Sequence, residues 1–519
     1  MKKFLKNLFC ITLMSALVVA CGEKKDASDS TADSKDAKAT STKEALVVAQ
    51  GADAKSLDPD ATNDQPSSRV AAQIYSRLVD QDDKMMPQPA LAESWENPDP
   101  KTTIFHLRKG VKFHNGEELK ASDVKFSLDR MKASAQVSHI IEAIDKVEIV
   151  DDYTVKVVTK EAFGPLLNHL AHTAASILNE KAVTASGASY GQHPVGTGPY
   201  AFEKWMSGDA ITLKAFPDYY LGKPTLNKII FRNVPDGTNR AIGLETKEID
   251  IAYDVEPMDK KLIQESKTMS LLEEPSLSTA YLGFNMKKPI FQDKRVRQAI
   301  AYALDREPMI DTVYKGAATI ANSPIGPLVF GYSENTKPVY SHNIEKAKEL
   351  LKEAGYENGL SFKIWVNDNP QRRDLATIMQ DQLSQVGIKV TIETIEWGAF
   401  LDGTAKGEHE AFIMGWVTVT GDADYGLNAL FNSATQGGAG NRSFYSNPKI
   451  DELLEKGKVS INAEERKATY AEIQDIIQED LPVFTLAYTK QNAGFQNYVK
   501  NFKLSPAGHH KLNGVTIEQ

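Results

Sequence analysis

The chain has 519 residues and a net charge of −9, with 41% apolar and 25% charged residues, an ordinary composition for a soluble globular protein. Charges of both signs are interspersed, which does not support the clustered basic patch of a nucleic-acid-binding protein. A chain of this length can build two or more lobes with substantial cores.

The first 20 residues have the pattern of a secretory signal peptide. Met1-Lys-Lys-Phe-Leu-Lys supplies positive charge, and an apolar run extends from Leu8 to Ala20. That run is too short for a membrane-spanning helix, which needs about 20 residues. Val18-Val-Ala-Cys21 resembles the lipobox of bacterial lipoproteins, in which the cysteine receives a diacylglycerol group. We therefore expect lipidation of Cys21; an ordinary signal peptide that contains a cysteine is the alternative.

Residues 21–43 are expected to form a flexible tether. This segment is rich in Lys, Asp, Ser, Ala and Thr and contains no aromatic or large apolar residue, so it cannot bury enough surface to fold. We therefore expect an exported protein held by its lipid on the periplasmic or extracytoplasmic side of a membrane. Cys10 lies in the part that is removed, so the mature chain has no internal disulfide.

Strands and helices alternate after the tether. Glu44–Gln50 and Thr103–Arg108 have strand character, and Ala121–Met131 has the period of a helix. Asn343 and Gly355 are suited to cap the two ends of a further helix between them. A helical period over Arg372–Val386 is followed by an apolar strand, so the sequence predicts an α/β protein with mixed sheets.

Longer motifs resemble the family-5 extracellular solute-binding proteins, the peptide, oligopeptide and nickel branch that feeds ABC importers. The matching segments extend over the chain after the tether. They include Ser56-Leu-Asp-Pro, Leu91-Ala-Glu-Ser-Trp-Glu, Thr103 to Gly116, Ala121 to Ser127, Pro194-Val-Gly-Thr-Gly-Pro-Tyr, Asp293 to Arg306, and Phe444-Tyr-Ser-Asn-Pro-Lys.

The resemblance implies an α/β, two-lobed periplasmic-binding-protein fold of type II, peptide-binding subclass. Lobe I would take residues 44–275, with a subdomain inserted at about 70–192, and the C-terminal residues 485–519. Lobe II would take residues 276–484. The two expected hinge strands are Thr279–Asn285 and Phe484–Tyr488.

The resemblance also implies the function of a substrate-binding subunit of an ABC importer. Such a monomer captures oligopeptides, dipeptides or glutathione between its lobes and delivers them to permease and ATPase subunits. It needs no catalytic residue, metal or cofactor. A binder of a nickel chelate or haem for the same kind of importer is the alternative, and a surface adhesin or signal receptor on the same scaffold also stays open.

A lipoprotein hydrolase is a less favoured alternative. Gly187-Ala-Ser189-Tyr-Gly191 fits the pattern of a nucleophile elbow, which needs a strand directly before the serine and a helix after it. The flanking residues 182–186 and 192–194 predict a loop, which argues against catalysis.

Two metal-like patterns are interpreted as structural. Asp422 and Asp424 resemble the start of a calcium loop, but the glycine and glutamate that such a loop needs are missing. His169 and His172 lie three residues apart on a predicted helix, and we expect a solvent-facing or hydrogen-bonded pair. The adjacent His509 and His510 are expected on the surface.

The predicted ligand site centres on residues 414–425. This segment resembles the family's cleft-lining loop, in which an aromatic residue packs on the ligand and an acidic residue meets its amine. The candidate residues in it are Trp416, Thr420, Asp422, Asp424 and Tyr425. The resemblance also suggests contacts from a lobe I loop and from the first hinge strand, with the candidates Asn63, Asp64, Ser67, Tyr281 and Asn285.

The anchoring scheme of the well-known dipeptide binders does not transfer intact. They have an aspartate three residues after the tryptophan, where this chain has Val419. The arginine that binds the peptide carboxylate has no direct counterpart, and Arg372 and Arg373 are the nearest basic residues. Thr420 to Leu427 instead resembles glutathione-binding relatives, which favours a ligand with two carboxylates and one ammonium.

Overall fold

The computed structural model describes residue 43 and the ranges 45–62, 64–437 and 440–518. The predicted signal peptide, Cys21 and the tether up to residue 42 lie outside the described residues, as does Asn63. In the described ranges, no helix is both long and apolar enough to cross a membrane.

Helices and strands alternate along the described chain. The strands are β1 (Ala45–Gln50), β2 (Val79–Gln81), β3 (Pro87–Pro89), β4 (Ala92–Asp99), β5 (Thr102–Leu107), β6 (Ile144–Asp151), β7 (Thr154–Thr159), β8 (Tyr200–Met206), β9 (Ala210–Ala215), β10 (Lys228–Asn233), β11 (Ile251–Tyr253), β12 (Met269–Phe284), β13 (Ala318–Ile320), β14 (Leu360–Asn367), β15 (Ile388–Ile395), β16 (Ala411–Val417), β17 (Val483–Gln496), β18 (Val499–Lys500) and β19 (Thr516–Ile517). The α-helices are α1 (Gln65–Ile74), α2 (Ala121–Ala133), α3 (Leu166–Leu170), α4 (Glu180–Ser186), α5 (Gly237–Glu245), α6 (Lys260–Gln264), α7 (Pro289–Gln292), α8 (Lys294–Ala303), α9 (Arg306–Tyr314), α10 (Ile344–Glu353), α11 (Pro370–Ser384), α12 (Trp397–Lys406), α13 (Ala423–Phe431), α14 (Pro448–Val459) and α15 (Ala463–Asp480). Short 3₁₀ turns cover Ser138–Ile141, Thr173–Ala175, Gly187–Gln192 and Ser433–Thr435.

Local capping signals explain where several helices begin and end. The side chain of Asn343 accepts a hydrogen bond from the amide of Lys346 at the start of α10. Gly355 follows the helix with a φ of 85°, a conformation that glycine adopts without strain. Both predicted ends of this helix are confirmed.

The largest sheet runs through both lobes. Its strand order is β15-β14-β16-β12-β17-β11-β1-β10-β9-β8, with β13 paired to β17. The antiparallel strands β12 and β17 form its centre, with pairs from Met269↔Gln496 to Gly283↔Val483. Their register shifts between Pro275 and Thr279, midway along the pair. The chain therefore passes between the lobes on two paired strands.

We call lobe I the part built on β1 and β8–β11, and lobe II the part built on β14–β16. A separate antiparallel sheet, β4-β5-β7-β6, packs with α2 and α3 around its own hydrophobic core. We call this part the subdomain. Tyr425 of lobe II contributes to the subdomain core. The residue limits expected for the lobes, the insertion and the hinges stay a prediction.

The sequence around Ser189 was assigned wrongly to a loop. Residues 180–186 form α4, because Asn179 caps it through a hydrogen bond from the amide of Ala182, and a 3₁₀ turn follows. Ser189 is exposed, and its hydroxyl donates to the carbonyl of Ser186. A helix therefore precedes the serine in place of the strand that a nucleophile elbow requires.

Candidate functional site

The candidate site begins on the centre of the large sheet. Trp416 near the end of β16 pairs with Thr279 of β12, and Met414 pairs with Tyr281. Directly paired residues of antiparallel strands point to the same face. Trp416 and Tyr281 therefore lie on one face of lobe II, and both belong to the same apolar cluster.

Asp422 begins helix α13 and is neutralised inside lobe II. Its Oδ1 accepts from the amide of Asp424 at 3.0 Å, which caps the helix. The same oxygen accepts from Nη2 of Arg466 at 2.6 Å, and both side chains are buried. Because this buried ion pair already satisfies the carboxylate, Asp422 has a structural role at the site.

Asp424 faces the subdomain. Its Oδ2 lies 3.3 Å from Nε2 of His169, and both side chains are about 95% buried, with exposed fractions of 4% and 5%. Nδ1 of His169 donates to the carbonyl of Ile140 at 2.5 Å. In the described part of the chain, Oδ1 of Asp424 has no hydrogen-bond partner. Asp424 thus retains one free acceptor at the boundary between the lobes.

Aromatic rings pack around Tyr425, the residue that follows Asp424. The Tyr425 ring lies 5.6 Å from Trp416 and 5.5 Å from His172, measured between ring centroids. His169 packs edge-on against Tyr425 at 6.2 Å. Helix α3 ends at Leu170, so the predicted helix does not extend to His172. The expectation of a hydrogen-bonded histidine pair is confirmed, and both histidines are buried.

Side chains from β2 and from helix α3 bind the backbone of the same loop. The carbonyl of Thr420 accepts from Nε2 of Gln81 at 2.6 Å and from Nδ2 of Asn168 at 3.0 Å. Thr420 itself is fully buried. Neither Gln81 nor Asn168 was predicted, because nothing local marks a polar residue that bonds to a loop more than 250 positions away.

Basic and hydroxyl groups lie at the start of α11. Nη1 of Arg372 donates to Asn367 at 2.8 Å, and its guanidinium lies 5.6 Å from the centroid of the Trp397 ring. Burial raises the pKa of Tyr281 to about 12, although Arg442 and Arg372 act against this, so the tyrosine stays a neutral hydroxyl. Arg373 is exposed on the next position of the helix.

The remaining predicted residues lie in two other places. Asp64 caps helix α1, and its carboxylate accepts from the amide of Ser67 at 3.1 Å and from the Ser67 hydroxyl at 2.7 Å. Ser67 also lines a small cleft with Thr173. Asn285 is completely buried and donates to the carbonyls of Gly407 and His409, so its amide hydrogens are used inside lobe II.

The surface assignment of the C-terminal histidines is wrong for His510. It is 1% exposed and packs 4.7 Å from the Tyr253 ring, because the C-terminal segment returns over lobe I. His509 is half-buried and donates from Nε2 to Gln65 at 3.1 Å. Across the described ranges, no group of three or more His, Cys, Asp or Glu side chains is arranged to hold a metal ion.

The chain is similar to proteins of a known family. Residues 86–438 match the family described as bacterial extracellular solute-binding proteins, family 5 middle. The glutathione-binding protein GsiB of Pectobacterium atrosepticum is 35% identical over 89% of this chain and 91% of its own length.

Solved structures agree with the sequence relatives. DppA of Helicobacter pylori in complex with the peptide STSA has a TM-score of 0.84 and 32% identity, covering 92% of this chain and 98% of its own. NikA of Staphylococcus aureus in complex with Ni(L-His)₂ has a TM-score of 0.81 and 26% identity, covering 92% and 100%. The protein therefore belongs to family 5 of the bacterial extracellular solute-binding proteins.

Proposed function

We propose that this solute-binding protein captures a peptide or glutathione between its two lobes and delivers it to the permease and ATPase subunits of an ABC importer. Its family membership supports the role of a substrate-binding subunit. The named ligands of its relatives include glutathione, a peptide and a nickel–histidine chelate, so the ligand must be argued from the site itself.

The free oxygen of Asp424 carries this proposal. It is a buried carboxylate oxygen without a partner in the described ranges, and Asp424 lines a small cavity together with Phe163 and Tyr425. A ligand ammonium placed there would form a charge-assisted hydrogen bond in surroundings that exclude water. Asp422 does not offer the same opportunity, because Arg466 occupies it.

Arg372 supplies the opposite charge. One of its nitrogens binds Asn367, and the guanidinium keeps its charge at all ordinary pH values. A guanidinium can bind a carboxylate through two parallel hydrogen bonds. A ligand with an ammonium and at least one carboxylate matches this pair of groups, as peptides and glutathione do.

Calorimetric titration of the purified protein tests the proposal. The panel contains glutathione, dipeptides, the tetrapeptide STSA, nickel–histidine and haem. We expect a peptide or glutathione to bind, and we expect Asp424→Asn to weaken that binding by about tenfold or more, since a charged hydrogen bond contributes about 1.5–3 kcal/mol. Asp381→Asn, on the exposed face of α11, is the matched control and should leave the affinity unchanged.

The same titrations separate the alternatives. Binding of nickel–histidine or haem alone would assign the protein to the nickel and haem branch and reject the peptide proposal. Turnover of an ester or peptide that disappears in Ser189→Ala would instead support a hydrolase. Ser189 is exposed and follows a helix, and this position favours neither ester hydrolysis nor peptide hydrolysis.

We also propose that the protein is a monomer anchored by a lipid on Cys21, outside the cytosolic face of a membrane. The lipobox-like sequence before Cys21 supports this proposal. Metabolic labelling with a fatty acid in the producing bacterium should modify the wild type and leave Cys21→Ser unlabelled. Equal labelling of both proteins would reject the anchor.

A further inference from the structure

A cavity of about 220 Å³ lies beside helix α1, and nothing in the proposed function uses it. Residues 72–90, residues 171–173 and the C-terminal segment form most of its wall, and Val419 of lobe II closes one side. Its charged and polar lining residues include Arg77, Asp80, His172, His509 and Lys511. We call this space the Arg77 cavity.

The charges in the lining of the cavity balance. Asp80 accepts from Nη2 of Arg77 at 2.7 Å and from Nζ of Lys511 at 2.6 Å. Burial alone would raise the pKa of Asp80, but the two cations hold it below its usual range, so the carboxylate is ionised. Asp82, the second acid of the lining, is exposed, and its oxygens accept from the amides of Lys84 and Met86 and from Nε2 of Gln88.

Two hydrogen-bond donors at the cavity are not used by the fold. Nε of Arg77 is buried and has no partner in the described part of the chain. Nδ1 of His172 accepts from the amide of Ala174 at 3.0 Å, so the proton of the neutral ring is on Nε2. Burial lowers the pKa of His172 well below its usual value, which keeps the ring neutral. Two residues that line the cavity thus each have a hydrogen-bond donor that the fold does not use.

The cavity lies beside residues of the proposed ligand site. His172 lies against Tyr425, and Val419 is three residues from Trp416. Thr173 lines both this cavity and the small cleft beside Ser67. The volume is below the roughly 300 Å³ at the lower end for whole small-molecule sites, so it suits one substituent of a ligand.

We propose that the Arg77 cavity binds a carboxylate carried by the captured ligand, beyond the groups that Asp424 and Arg372 would hold. This inference rests on the proposed function, in which the ligand lies between the lobes. A guanidinium with an unused N–H is well suited to a carboxylate, and the surrounding burial strengthens the interaction. The cavity would therefore select ligands with an acidic side chain over the corresponding amides.

Matched ligands test this selectivity. We expect the wild type to bind Ala-Glu about tenfold more tightly than Ala-Gln, and we expect Arg77→Gln to reduce that ratio to near one. Arg232→Gln, at a half-buried lobe I position outside the cavity, is the control and should keep the preference. Equal binding of the two dipeptides by the wild type, or a preference that survives in Arg77→Gln, would overturn the inference.

Two further measurements keep the test decisive. Ala72→Glu, which leaves Arg77 in place, puts a carboxylate on the cavity wall and should also abolish the preference, even if Arg77→Gln does not fold. Glutarate should raise the melting temperature of the wild type more than glutaramide does, and Arg77→Gln should remove the difference. If no peptide or glutathione binds, the proposed function fails. The glutarate measurement still tests carboxylate binding in the Arg77 cavity, and no difference between glutarate and glutaramide would reject it.

Discussion

Asp424 of lobe II and His169 of the subdomain share a buried contact, with Oδ2 of the carboxylate 3.3 Å from Nε2 of the imidazole. Nδ1 of the ring already donates to the carbonyl of Ile140. A hydrogen bond between the pair therefore requires a proton on Nε2 of a cationic ring or on the carboxylate. The contact joins two parts of the fold that meet where the ligand is proposed to bind.

Replacing both members should cost less stability than the sum of the two single replacements. His169→Phe leaves a buried carboxylate without its partner, and Asp424→Asn weakens the same pair, so each should destabilise the protein by about 2–4 kcal/mol. The double variant should be more stable than the sum of the two effects predicts, by about 1–3 kcal/mol. Urea unfolding of the four proteins measures this coupling, and strict additivity would show that the contact contributes nothing.

The two hydrogen bonds to the Thr420 carbonyl should control the rate at which the ligand dissociates. Gln81→Ala and Asn168→Ala each remove one hydrogen bond to the Thr420 carbonyl. Each bond is worth about 1 kcal/mol, so we expect dissociation of the ligand to be about fivefold faster in either variant. Association should change little, because the loop contact forms as the lobes meet.

Stopped-flow measurement of ligand release provides this comparison. Gln385→Ala removes an exposed glutamine of lobe II and serves as the control. Unchanged release from both Gln81→Ala and Asn168→Ala would show that these bonds do not hold the closed form.

The protein should lose stability in mild acid through His114. Its Nε2 donates to the carbonyl of Gly198 at 3.0 Å, and its Nδ1 accepts from the amide of Gly196 at 3.3 Å. Burial lowers the pKa of His114 to about 4, whereas an unfolded histidine titrates near 6.5. Between these values the unfolded chain binds a proton that the folded protein excludes, so stability falls as the pH falls from 6.5 to 4.

His114→Gln measures this loss. The glutamine can replace both hydrogen bonds but does not titrate. Each pH unit in the window is worth about 1.4 kcal/mol, so the drop in unfolding free energy between pH 7 and pH 4 should be smaller by about 3 kcal/mol in the variant. Exposed His193→Gln should leave the drop as it is in the wild type. An identical drop in unfolding free energy in the wild type and in His114→Gln would contradict the role proposed for His114.

Sequence patterns predicted the elements whose signals are local. The cap at Asn343, the glycine after α10 and the helical period of Ala121–Met131 in α2 all depend on neighbours within one or two helical turns. The family motifs predicted the two-lobed fold. A local cap was also missed, since Asn179 was not recognised as the start of α4.

The partners of the candidate site could not be predicted in the same way. The loop from Trp416 to Tyr425 was identified, but Gln81 and Asn168 are separated from Thr420 by 339 and 252 positions. Their residue types are common on any surface, and only the tertiary fold brings them to Thr420. His510 was misplaced for the same reason, because its burial depends on Tyr253 of a distant segment.

Trp416 should report ligand binding by its fluorescence. Its Nε1 is buried without a partner in the described ranges, and its ring lies against Tyr425, which follows Asp424 in helix α13. A ligand that enters there changes the polarity around the indole and supplies a group for Nε1–H to bind.

The chain has five tryptophans, and Trp205 already donates to Asp53 in lobe I. We therefore expect Trp416→Phe to remove most of the emission change on ligand addition and Trp205→Phe to retain it. A full emission change in Trp416→Phe would place the ligand away from this ring.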